Sequence, residues 1–234
     1  MQYYSEGGWW LPDRELHIQQ YMRKANKHRG SRLLYQDHKY QAALKWVRPT
    51  RRNAIDIGAH VGFWSWQMAQ DFKHVIAFEP MLEHCDCCQS NMIAQSNFYL
   101  FNMALGNETK KAFVRIRPPG SPGDNGTDPA AERSSLRACI ENAEGEPCTM
   151  TTLDSFGFDN VDFLKIDTEG YELFILEGAI ETLKRCKPCC IVEQKAETGG
   201  AEHYGIGVTD AVTFLKKLGA VQRCVVQGDY VLSW

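Results

Sequence analysis

The chain has 234 residues, 44% of them hydrophobic and 24% charged, which is the make-up of an ordinary globular domain and excludes a disordered or collagen-like one. No run approaches the roughly 18 apolar residues that cross a bilayer, and "MQYYSEGGWWLPDRELH" lacks the basic and apolar regions of a secretion signal. A single large cytoplasmic domain is expected, and its nine cysteines read as reduced thiols.

The net charge of −3 hides an asymmetry, because residues 1–52 carry 11 Lys and Arg against 4 Asp and Glu, and the remainder 15 against 25. This N-terminal arm is expected to hold helices over 13–25 and 37–47 and to pack on the catalytic domain. Its cations Arg23, Lys24, Lys27, Arg29 and Arg32 read as a solvated face, the commoner fate of a charge run, or as a contact for an anionic partner such as nucleic acid. Trp9, Trp10, Trp64 and Trp66 read as core, with Trp9 and Trp10 alternatively placed to stack on a sugar or base.

From residue 53 the chain alternates. Strands are expected at 53–57, 74–79 and 98–105, with helices at 62–72 and 83–96 between them. Residues 118–147 are rich in proline, glycine and polar residues and read as a long loop or lid, within which Ser134, Ser135, Leu136 and Arg137 are candidate substrate contacts. The rhythm resumes with a strand at 161–167, a helix at 171–185, a strand at 189–194 and a helix at 209–219 with Thr209 as N-cap. A hairpin around Gly228 closes the chain. Short apolar strands alternating with helices argue for an α/β fold with a parallel sheet and helices on both faces.

In such folds ligands bind beyond the carboxyl ends of the strands. "DIGAHVG" sets Asp56 at a strand end with Gly58, Ala59, His60 and Gly62 in the bend, where glycine permits a tight turn and close approach of a ligand. The G-x-G-x-x-G of a dinucleotide site is absent, with His60 at its second glycine. Glu79 ends the next strand, 23 residues after Asp56, where an acid can accept both hydroxyls of a ribose. This arrangement looks like the S-adenosylmethionine site of a class I methyltransferase. Asp56 and residues 58–62 would hold the methionine part, Glu79 with Pro80 the ribose, and "FNMALG", with Asn102 and Ala104, the adenine edge.

"TTLDSFGFDNVDFLKIDTEGYELFILEGAIETL" followed by "CCIVEQ" resembles the FkbM-type methyltransferase family. The match spans about 54–194 and reproduces the family core at Lys165, Asp167, Glu169, Gly170, Glu172, Leu176, Gly178 and Ala179. Many members carry Asn where this chain has His60. The resemblance implies a Rossmann-like class I fold, a mostly parallel seven-stranded sheet in the order 3-2-1-4-5-7-6, and transfer of methyl from S-adenosylmethionine to oxygen, usually on a sugar, polyketide or similar hydroxyl.

Methyl transfer needs an aligned nucleophile and removal of its proton. Strand alternation puts Lys165 and Asp167 on one face, with Asp167 at the tip and Glu193 ending the adjacent strand. Asp167 is the candidate base or substrate orienter, Glu169 and Glu193 support it, and Lys165 pairs with one of these acids or snorkels at the strand edge. Glu172 reads as a helix-dipole partner. The three acids are also a donor set for Mg²⁺, a reading favoured less than a metal-free base. The pairs Cys85/Cys88 and Cys186/Cys189 have zinc spacing but fall on distant strands, so buried small hydrophobes are the better account.

The expected function is therefore O-methyl transfer to a carbohydrate or other small molecule. A ribose 2′-O-methyltransferase acting on RNA, using the basic arm with Lys165, Asp167, Glu193 and Lys195, is one alternative. A non-catalytic binding protein that keeps the fold is another.

Overall fold

The computed structural model describes residues 1–13, 15–116, 138–141, 143–194 and 200–234. The N-terminal arm opens with a hairpin of β1 (Gln2–Tyr4) and β2 (Trp9–Leu11), then α1 (His17–Ala25), a small hairpin of β3 (His28–Arg29) and β4 (Arg32–Leu33), and α2 (Asp37–Leu44). Helix α1 starts later than the 13–25 expected. The Glu15 carboxylate turns back to accept the Ile18 amide at 3.0 Å and so satisfies one of the first-turn donors.

The body runs β5 (Asn53–Ile57), α3 (Phe63–Ala69), β6 (His74–Phe78), α4 (Leu82–Met92), β7 (Phe98–Phe101), β8 (Ala104–Leu105), β9 (Lys110–Ile116), β10 (Ala138–Glu141) and β11 (Glu146–Thr151). It continues with β12 (Val161–Ile166), α5 (Glu172–Glu177), α6 (Ile180–Cys186), β13 (Cys189–Glu193), α7 (Gly200–His203), α8 (Asp210–Lys217), β14 (Val221–Val226) and β15 (Asp229–Ser233). The main sheet has the order β7-β6-β5-β12-β13-β15-β14 and is parallel except for β15, which is antiparallel to both neighbours. Numbered along the chain within this sheet, the order is 3-2-1-4-5-7-6, as the family resemblance implies.

Every residue of β12 is buried, as a central parallel strand covered on both faces requires. On one face Ile55, Ile57, Leu164 and Ile166 pack against Ile175, Leu183 and Leu215 of α5, α6 and α8. On the other, Ala54, Phe163 and Ile191 meet Tyr40 of α2 and Trp64 and Met68 of α3. The β14–β15 turn places Gln227 and Gly228 at φ 50° and 85°, the two positive values of a type I′ hairpin.

Four further expectations differ. The strand expected over 98–105 divides after Phe101, and β8 leaves the main sheet to join a second, four-stranded sheet of order β10-β9-β11-β8. That sheet takes in β10 and the start of β11 from the segment expected to be a loop at 118–147; Ser134, Ser135, Leu136 and Arg137 lie outside the described residues, as does Lys195. The helix expected over 171–185 breaks at Gly178–Ala179, where the chain packs so closely on the Gly106 carbonyl oxygen that a Cβ on Gly178 would sit 1.9 Å from it, so only glycine fits. Thr209 holds the N-cap position of α8 but makes no side-chain cap bond, and Asp210 accepts the Gly207 amide at 2.7 Å instead.

Trp9 and Trp64 are core residues, their indole N–H groups donating to the Leu33 carbonyl and the Gln36 side chain at 2.8 and 2.9 Å. The Tyr3 ring lies 5.2 Å from that of Trp10, and Arg32 stacks between Trp9 and Trp66 at 4.5 and 5.2 Å. Arg23 pairs with Glu6 and Arg29 with Asp71, so three of the arm's five clustered cations are engaged within the fold.

Candidate active site

Strands β5, β6 and β12 end side by side, which brings Asp56, Glu79 and Asp167 to one edge of the sheet. Asp56 is fully buried. Its carboxylate accepts the Ser65 hydroxyl at 2.7 Å and lies 3.2 Å from the Lys165 ammonium. Lys165 also donates to the Gly58 carbonyl at 2.7 Å and reaches Asp167 at 3.8 Å. Of the two placements expected for Lys165, the structure shows the ion pair: the side chain is buried rather than snorkelling.

Burial acts against charge on both partners of this pair. It raises the Asp56 carboxyl above its ordinary value, with Lys165 and Ser65 opposing. For Lys165 burial acts downward, but the negative charges of Asp56 and Asp167 outweigh it and the ammonium is held above its usual range.

The glycines of the bend answer to packing. Gly58 has φ +75°, and a Cβ there would lie 2.0 Å from the Asp167 carbonyl oxygen. Gly62 has φ +89°, and its Cβ would meet Cys88 Sγ at 2.8 Å. Gly62→Ala is therefore expected to cost about 2 kcal/mol in chemical denaturation through the left-handed backbone and the clash. Adding Cys88→Ala should relieve the clash alone; full recovery in the double variant would mean that the backbone is not strained.

Glu79 is buried, and three donors fill most of its carboxylate. Oε2 accepts the His60 amide at 2.8 Å; Oε1 accepts the Met81 amide at 3.0 Å and faces His84 Nδ1 at 3.2 Å. Burial alone would raise this carboxyl, yet His84 and the two amides bring it below the ordinary glutamate value. A carboxylate has about four acceptor positions, so one remains on Oε2 for a ribose hydroxyl, and a second hydroxyl would displace His84. This fits a nucleoside ligand at a charged acceptor.

His84 was missed in the sequence. It is buried in the first turn of α4, its Nε2 has no hydrogen-bond partner, and its ring packs 4.3 Å from that of His60. Burial, with His84 alongside, pushes His60 well below the usual imidazole range. Asn102 ties the ends of β6 and β7 together, donating to the Glu79 and Pro80 carbonyls at 3.1 and 2.9 Å. Ala59 is buried in the bend, whereas Ala104 pairs with Met150 in the second sheet.

Beyond β12 and β13, ligating oxygens of Asp167, Glu169 and Glu193 lie within 4.8 Å of one another. Glu169 has φ 56°, a left-handed conformation that is uncommon outside glycine and clusters at functional sites. Glu172 opens α5 and stands under this loop, its Oε1 accepting the Thr168 and Gly170 amides and the Thr168 hydroxyl at 2.9, 3.1 and 3.1 Å.

The arm closes over the same edge. Tyr35 packs 5.0 Å from Tyr21, and burial with the charges of Asp167 and Glu169 raises its phenol well above the usual value. Lys39 and Asp229 form a buried ion pair of 2.7 Å, and Asp229 is the strand partner of Glu193. Neither Tyr35 nor Lys39 carries a motif that would have marked it. Cys85 and Cys88 face inward on α4, while Cys186 and Cys189 flank the entry to β13.

The family model described as a methyltransferase FkbM domain matches residues 56–219. Among solved structures, precorrin-6y C5,15-methyltransferase from Geobacter metallireducens GS-15 aligns with a TM-score of 0.51 at 10% identity, over 98% of this chain and 96% of its own. Methyltransferase FkbM from Methylobacillus flagellatus KT aligns with a TM-score of 0.49 at 16% identity, over 86% of this chain, and the match spans 55% of the length of that protein. The O-methyltransferase from Bacillus cereus, solved with S-adenosylhomocysteine, aligns with a TM-score of 0.48 at 13% identity, over 92% and 87% of the two chains. A search of curated protein sequences returned no match. With the family model covering more than half of the chain and the strand order of the class I fold in place, the chain belongs to the FkbM family of S-adenosylmethionine-dependent methyltransferases.

Proposed function

We propose that the protein transfers a methyl group to a hydroxyl of a carbohydrate or other small molecule, with Asp167 as the base or substrate orienter and Glu169 and Glu193 in support. The observation that carries this reading is the convergence of those three acids at the tips of β12 and β13, beside the strand ends expected to hold the cofactor. When bound, S-adenosylmethionine supplies an electrophilic methyl group. Asp167 takes the proton of the acceptor hydroxyl, and the buried Lys165 fixes its carboxylate from below. Tyr35 lies near enough for the charges of Asp167 and Glu169 to act on its phenol, and its ring packs 5.0 Å from that of Tyr21.

Glu79 with Pro80 is assigned to the ribose, Asn102 to the adenine edge, and the 58–62 bend to the methionine part, which it lines with backbone. Asp56 supports this part indirectly, since its carboxylate is spent on Ser65 and Lys165. Glu79→Ala is expected to weaken S-adenosylmethionine and S-adenosylhomocysteine by roughly 10- to 100-fold in titration calorimetry, the worth of one to two hydrogen bonds to a charged group. Glu79→Gln keeps the size but loses the charge; wild-type affinity in that variant would overturn the ribose assignment.

A further inference from the structure

Away from the candidate active site, β10 and α7 bring together three side chains of unlike chemistry. Cys139 and Glu141 lie two apart on β10 and so project from one face of the strand. His203 closes α7, with its Nε2 3.3 Å from Glu141 Oε1. Cys139 Sγ stands 3.6 Å from the same oxygen, and the donor atoms of all three lie within 4.8 Å of one another. The two elements are held in register by the next residue, Tyr204, whose hydroxyl accepts the Ile140 amide at 2.9 Å and donates to the Ile140 carbonyl at 3.1 Å. Tyr204 thereby fills the open edge of β10, the outer strand of the second sheet.

A thiol, an imidazole and a carboxylate at one point suit a borderline divalent cation. Zinc takes sulfur, nitrogen and oxygen in a tetrahedron, and three protein ligands leave the fourth position to water. Cys139 is buried, while Glu141 and His203 are part-exposed. Arg115 holds Glu141 at 3.1 Å and competes with a cation for it, but a second carboxylate, Glu144, lies 3.7 Å from the guanidinium and receives it when Glu141 is engaged.

We propose that Cys139, Glu141 and His203 form a zinc-type cation site that fastens α7, the helix after β13, to the second sheet. The thiol of Cys139 gives its proton to solvent as the thiolate binds, and the imidazole binds neutral through Nε2. The site is independent of the methyl-transfer reading.

The test titrates the metal-free full chain with Co²⁺ and Zn²⁺. One equivalent of Co²⁺ should bring up a thiolate-to-metal charge-transfer band that Zn²⁺ displaces. Cys139→Ser should abolish the band, and His203→Gln should weaken Zn²⁺ by more than the roughly 100-fold that an outer-sphere partner reaches. S-adenosylmethionine affinity, measured alongside, should stay unchanged as proof of fold. If either variant fails to fold, Arg115→Gln decides, because removing the competing cation must tighten Zn²⁺. A band that survives Cys139→Ser, no metal binding by the intact chain, or unchanged affinity in Arg115→Gln would each overturn the site.

Discussion

Lys165→Met is expected to cost the fold about 3–5 kcal/mol, the usual penalty for breaking a buried ion pair from one side. The variant leaves Asp56 fully buried with only Ser65 as a partner, at the centre of the sheet. Its carboxyl, already raised by burial, then loses the ammonium that opposed the rise. A carboxyl whose folded pKa exceeds its unfolded value stabilises the fold at pH below the unfolded value and ceases to as pH climbs through the folded one. Urea denaturation of Lys165→Met should therefore show stability falling as pH rises from about 4 toward neutrality, against the trend of most proteins. Adding Asp56→Asn should recover most of the loss and remove the pH slope, since no buried charge is then left alone. An unchanged slope in the double variant would place the titration elsewhere.

The same pair marks what a sequence can convey. The parallel sheet was legible because β5, β6, β12 and β13 are short runs of apolar residues, as strands covered on both faces require, whereas its strand order came from the family resemblance. Asp56, Glu79, Asp167 and Glu193 were legible because each ends such a run, and strand ends converge in this fold whatever the loops do. What those carboxylates touch was not. Asp56 reads from its position as a ligand group, yet Ser65 and Lys165, nine and 109 residues on, turn it into a buried support.

Other misses share that cause. His84 folds back on Glu79 from the first turn of α4, five residues later, and nothing local distinguishes it from a surface histidine. The second sheet pairs β8, β9, β10 and β11 across an insert of low hydrophobicity, so its strands lack the continuous apolar runs of the main sheet. Where they alternate it is with shallow burial: β9 buries Ala112 and Val114 between less buried neighbours, and β11 alternates with only Met150 fully buried. Tyr35 and Lys39 reach the active-site edge through tertiary packing of the arm, which composition registers as a basic charge and nothing more.

Asp167→Asn is expected to lower the turnover number by about 10²- to 10⁴-fold, the span of general base catalysis, while S-adenosylmethionine affinity changes little. The substitution keeps shape and a hydrogen-bonding oxygen but removes proton affinity, so it separates a base from a group that only orients the acceptor. An orienting role would leave most of the turnover in place and raise KM instead. The pH profile supplies an independent reading, because a base must be deprotonated to act and its removal should flatten the acidic limb of kcat. Glu169→Gln and Glu193→Gln complete the comparison. If the three acids act as a base with two supports, their losses should be graded, with Asp167 the largest. If they hold a divalent cation instead, each removes one ligand of three, the losses should be of similar size, and EDTA should reproduce them in the wild-type chain.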